Sequence, residues 1–183
     1  MDKQPLKGEL DLPPLPHILR PGLLVVFCGF NPGERSATIG HYYGYPGNRF
    51  WWLLHQAGLT DRQLDPTEDQ TMPDRYGYGL TDIVERPSKA ASDLAGWEFR
   101  EGREAFLERM RTYRPAFICY AGKGVYGAAS GRKQVEYGLQ PDSLVEGVWD
   151  FVAASPSGRS REPLAVKLAI LKELTNLVAL RRN

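Results

Sequence analysis

Cysteine is scarce in this chain of 183 residues. It has two, Cys28 and Cys119. They lack CxxC spacing, and two thiols alone cannot furnish a four-thiolate zinc or iron–sulfur site. Each sits in an apolar run, where a thiol acts as a small hydrophobe. Long apolar runs are also missing: none approaches the ~20 residues needed to cross a bilayer, so no membrane partner is expected. The first 22 residues carry Pro5, Pro13, Pro14, Pro16 and Pro21 among charges. That pattern is unlike the apolar core of a signal peptide and points to a poorly regular arm and a cytoplasmic protein. Excess charge is lacking as well, with 23 Lys+Arg against 22 Asp+Glu and a net charge of +1. A strongly basic domain is the usual electrostatic sign of nucleic-acid binding, so any such contact has to come from a local patch. No HExxH, GxSxG or EF-hand pattern occurs. Gly122-Lys123-Gly124 follows an apolar run but lacks the first glycine and the Ser/Thr of a phosphate loop. No metal and no cofactor are expected.

What is present is an alternation of short apolar runs and amphipathic stretches. Residues 23–27 (LLVVF), 78–84, 116–121 (AFICYA) and 148–154 (VWDFVAA) read as strands, the continuously apolar ones as strands buried on both faces. Helices are expected from the Asn48 cap to Gly58, over 94–113 with Phe99, Phe106, Met110 and Tyr113 on one face, after Gly124, and over 163–180 with Leu164, Leu168, Leu171 and Val178 inward. Residues 60–74 read as a polar connection. This order predicts an α/β fold, a single three-layer αβα domain around a mostly parallel central sheet. Residues 1–20 form a proline-rich arm and 21–183 the domain. In such a sheet ligands bind at the C-terminal ends of the strands. Two loops of interest fall there, Gly29-Phe30-Asn31-Pro32-Gly33 and the stretch from Ser155 to Arg161.

In the first loop, Gly29 allows close approach to the backbone, and Pro32 and Gly33 stiffen the turn that carries Asn31. Alone, the pentapeptide reads first as a plain strand-to-helix turn in which Asn31 bonds its own backbone. Set beside Pro46-Gly47-Asn48-Arg49-Phe50-Trp51, then the run from Gly79 to Arg86, Glu98-Phe99-Arg100-Glu101-Gly102, and Ser155-Pro156-Ser157-Gly158, it resembles the mismatch-specific uracil-DNA glycosylases of the MUG/TDG type. The likeness runs in order from about Pro21 to Leu180.

The resemblance implies a monofunctional enzyme, expected as a monomer, whose partner is double-stranded DNA with a G:U mismatch. It would flip uracil from the stack and hydrolyse its N-glycosidic bond in base excision repair. Asn31 stands where the family positions water. Gly29, Phe30 and Ser155 would line the uracil pocket, and Tyr43 falls where a stacking aromatic is expected, with Tyr42 and Tyr45 close by. Gly158, Arg159, Ser160 and Arg161 match the loop that enters the duplex. Arg159 departs from the apolar wedge common among bacterial relatives, and its plain alternative is a solvated surface arginine. The classical uracil-DNA glycosylases carry a histidine where this chain has Ser155. Since an amide is a poor proton acceptor, a carboxylate is sought to assist Asn31. Asp93 is named as the secondary catalytic candidate beside Asp82, although Asp93 also suits a helix cap. The rival reading is a non-catalytic protein that binds mismatches or damaged bases. A more remote one is an α/β enzyme acting on free nucleotides.

Overall fold

The computed structural model describes residues 10–182. Five strands make one sheet: β1 (Val25–Gly29), β2 (Tyr78–Asp82), β3 (Phe117–Tyr120), β4 (Gly138–Leu139) and β5 (Trp149–Val152). Their order is β2-β1-β3-β5-β4. The first four in that order run parallel, and β4 pairs antiparallel on the edge. The helices are α1 (Glu34–Ile39), α2 (Phe50–Gln56), α3 (Met72–Tyr76), α4 (Gly96–Tyr113), α5 (Lys123–Ser130) and α6 (Leu164–Arg182). Among the described residues no helix is long and apolar enough to cross a membrane.

Strand periodicity builds the layers. Side chains alternate between the two faces of a strand, and the apolar residues of β1 divide accordingly. Val25 and Phe27 join the core that holds Phe50, Leu53 and Leu54 of α2 and Leu171 and Leu174 of α6. Val26 and Cys28 join the other core, with Phe106 and Met110 of α4 and Val125 and Tyr126 of α5. β3 splits in the same way, Phe117 and Cys119 against Ile118 and Tyr120. Helices therefore cover both faces, which is the expected three-layer αβα arrangement.

Several local expectations shift. Residues 60–74 are not a plain connection: Asp65 caps a 3₁₀ turn at Pro66–Thr71, α3 follows, and Asp69 is fully buried. Along α6 the inward stripe is Lys167, Ile170, Leu171, Leu174 and Val178, while Leu164 at its start is 41% exposed. The arm has no regular structure over residues 11–17, yet Leu15 and Ile18 are buried and Ile18 exchanges both backbone hydrogen bonds with Leu80 of β2. The start of the arm, residues 1–9, lies outside the described residues. α4 ends where Arg114 turns left-handed, φ +45°, just before Pro115.

Candidate active site

Parallel strands deliver their C-terminal ends to one side of the sheet, and there the chain opens a cavity of about 340 Å³. It is lined by Gly29 to Gly33 after β1, by Asp82 at the end of β2, by Ala121 after β3, by Ser155 to Ser157 after β5, and by Tyr42, Tyr43 and Tyr45. Gly29, Phe30, Asn31, Tyr43 and Ser155, separated by up to 126 positions (155 minus 29), thus share one cavity.

The Asn31 side chain is fixed through its nitrogen. Nδ2 donates to the Arg86 carbonyl at 2.9 Å and to Ser88 Oγ at 2.7 Å. Ser88 in turn donates to the Ala90 carbonyl, and its backbone N–H bonds the Pro32 carbonyl. With the nitrogen held on the 86–88 segment, the amide oxygen is turned away from those partners. The loop backbone is pinned too: the Gly29 and Phe30 carbonyls accept from Ile83 and Val84. Arg86 holds this segment by a fork to Glu98 (2.5 and 3.0 Å) and a bond to the Asp93 carbonyl. Sequence reasoning missed Ser88 altogether, because an isolated serine after a proline carries no pattern.

Asp82 is buried, 5% exposed. Burial disfavours its charged form and pushes its pKa up to about 7, and the Arg109 guanidinium opposes that shift. Gly29 makes room for it: a Cβ there would stand 2.6 Å from Asp82 Oδ1 and 3.7 Å from Tyr43 Oη. Asp93 is placed differently. It does not line the cavity, and its carboxylate accepts the Ala90 N–H at 3.1 Å, closing a short 3₁₀ turn ahead of α4. Of the two carboxylates considered from the sequence, the cavity holds Asp82.

The aromatic loop is built around Asp69, which accepts the Tyr42 N–H and pairs with His41, each at 3.0 Å. Ser36 Oγ accepts the Gly44 N–H. Tyr43 adopts φ +51°, an uncommon conformation outside glycine, and its ring stacks on Phe50 at 3.8 Å. Phe30 packs edge-on against Phe99. Gly124 leaves space for it, since a Cβ there would meet the ring at 3.0 Å.

Beyond the cavity mouth lies a groove of about 1040 Å³. Arg35, Arg49, Lys89, Arg159 and Lys167 line it against Glu34 and Glu162, a local cationic excess that the whole-chain balance hides. The loop after β5 is stitched to the 47–49 segment. Arg49 N–H donates to the Pro156 carbonyl at 2.8 Å, and a Cβ on Gly158 would stand 2.7 Å from the Gly47 carbonyl oxygen. Lys167, buried on α6, donates to the Ser157 carbonyl at 3.0 Å. Gly158 and Arg159 are exposed at the loop tip. Ser160 bonds Glu162 instead of facing the cavity, and Arg161 is exposed.

Residues 16–177 match the family described as the uracil DNA glycosylase superfamily. The chain belongs to that superfamily. Membership makes it a hydrolase of the DNA glycosylase kind, and the matched segment contains every cavity-lining residue but Leu15. It begins within the arm, between the buried Leu15 and Ile18.

Proposed function

We propose that this superfamily member is a monofunctional glycosylase of the mismatch-specific branch, acting as a monomer on uracil in double-stranded DNA and preferring G:U pairs. It would work in the cytoplasm on the chromosome and leave an abasic site for base excision repair. The observation that carries the reading is the Asn31 amide, held by its nitrogen and sharing one cavity with the Asp82 carboxylate.

A G:U pair is weaker than a Watson–Crick pair, so extruding its uracil costs less and selects it. The extruded base enters between Phe30 and Tyr43, bounded by Gly29 and Ser155. Arg159 occupies the gap left in the stack, and its charge meets the orphaned guanine or a phosphate. The groove cations Arg35, Arg49 and Lys89 follow the backbone. As the C1′–N1 bond breaks, its electron pair leaves with N1 as a uracil anion, and the sugar takes on oxocarbenium character. Ionised Asp82 stabilises that positive charge. The Asn31 oxygen orients a water whose oxygen bonds to C1′ while its proton passes to Asp82. Uracil is later protonated from solvent. A carboxyl with a pKa near 7 is partly ionised at neutral pH and is a far better proton acceptor than an amide.

Single-turnover uracil release from a G:U duplex, an A:U duplex and a single strand tests this. Release should be fastest from G:U, and Asn31→Ala should slow it about a hundredfold or more while sparing binding. Tight G:U binding without release by the wild-type protein would instead identify a non-catalytic mismatch binder. Equal rates on all three substrates would overturn the assignment to the mismatch branch.

A further inference from the structure

Two elements converge on the strand end that carries Asp82. From one side comes the arm: Ile18 bonds Leu80, and His17 bridges Thr81 Oγ1 and Glu85 Oε1, each at 3.0 Å. From the other comes α4, whose Arg109 donates through Nη2 to the Asp82 carbonyl at 2.7 Å and through Nη1 to Glu85 at 3.3 Å. The Arg109 side chain is 15% exposed, and its buried Nε has no partner among the described residues. Desolvating a guanidinium in this way is costly unless negative charge stands nearby. Glu85 neutralises it only in part, because it is 54% exposed.

We propose that Arg109 is a positioning residue for glycosidic-bond cleavage, fixing the end of β2 and supplying positive charge behind the Asp82 carboxylate. The inference rests on Asp82 being the group that takes the proton of water. Around Asp82 stand Cys28 on β1, Tyr42 and Tyr43 on the aromatic loop, Arg109 on α4, and, through Arg109, Glu85 and His17. Burial pushes the thiol and both phenols up, away from neutral pH. Burial and Arg109 push His17 below its ordinary value, so it is neutral near pH 7. Asp82 is therefore the member of this group that changes charge near pH 7, and Arg109 is the cation that favours its ionised form. A salt tie of purely structural purpose would hold β2 to α4 without touching the pH at which the enzyme works.

The test is the pH profile of single-turnover uracil release from a G:U duplex, from about pH 5.5 to about pH 9. The wild-type rate falls on the acid side as Asp82 gains its proton. Arg109→Gln should move that midpoint up by about one unit, a loss approaching tenfold at pH 6 with little change at pH 9. Arg109→Lys, which keeps the charge, should return the midpoint towards wild type. Glu85→Gln leaves Arg109 less neutralised and should move the midpoint down. It serves also if the arginine variants fail to fold, since Glu85 is at the surface. Asp82→Asn should abolish the acid limb. If it does, while Arg109→Gln or Glu85→Gln leaves the midpoint at its wild-type position, the role of Arg109 is overturned and Asp82 stands. If Asp82→Asn keeps the wild-type limb, the reading of Asp82 itself falls.

Discussion

Gly29→Ala isolates the space that the first loop provides. The backbone at Gly29 is not in the left-handed region, so alanine brings no conformational penalty of its own. What it brings is one methyl group. That carbon would lie 2.6 Å from Asp82 Oδ1, about 1 Å inside the separation at which non-bonded heavy atoms attract. Asp82 is buried at the C-terminal end of the edge strand β2, so the carboxylate has to rotate or the strands part. Overpacking of this kind costs ~1–3 kcal/mol of stability. A base displaced by about 1 Å loses on the order of a hundredfold in rate. Single-turnover release from a G:U duplex should show that loss, while uracil-containing duplex still binds. The deciding assay repeats the substitution in an Asp82→Asn background. There the clash has no catalytic base left to displace, so the double variant should be no more than a few-fold slower than Asp82→Asn alone. A second full hundredfold loss would mean that Gly29 serves base entry and not the carboxylate, and the coupling argued for this pair would be refuted.

Three further outcomes are expected. Asp82→Asn should raise thermal stability at pH 8 and above: a carboxyl with its pKa pushed up to about 7 destabilises the fold once ionised, by up to about 4 kcal/mol. The gap should shrink as pH falls through 7 and vanish below about pH 3, where folded and unfolded states are both protonated; a gap constant from about pH 4 to about pH 9 in calorimetry would contradict the burial argument. Asp93→Ala should lower stability by about 1 kcal/mol through loss of the bond to the Ala90 N–H, with a single-turnover rate close to wild type; a hundredfold slower rate in a fully folded variant would return Asp93 to the chemistry. Arg159→Ala should slow release from A:U duplex more than from G:U, since the stable pair depends more on the wedge, and an equal slowing on both would mark Arg159 as a phosphate contact.

Much of the sheet was legible in the sequence because β1 and β3 are continuously apolar. Val25, Val26, Phe27 and Cys28 can be buried on both faces only by helices on both sides. β4 was not legible, since a two-residue strand has no period. Asp69 was hidden among polar residues, and its burial follows from a partner 27 positions away, the Tyr42 N–H. Leu164 reads as inward from α6 spacing alone, but the first turn of that helix projects beyond the core, and the inward place falls to Lys167, whose ammonium finds the Ser157 carbonyl. The same limit governed the two acids. Asp82 and Asp93 carry identical chemistry, and what separates them is that one ends a buried parallel strand at the cavity and the other closes a turn.

The clasp between Gly47, Arg49 and the segment from Pro156 to Gly158 is made by the chain's own backbone. A finger already set in shape has little freedom left to lose at each encounter. In the proposed role, such an enzyme can test successive base pairs by pressure alone, and its discrimination then resides in how readily each pair yields and not in a closing motion of the protein.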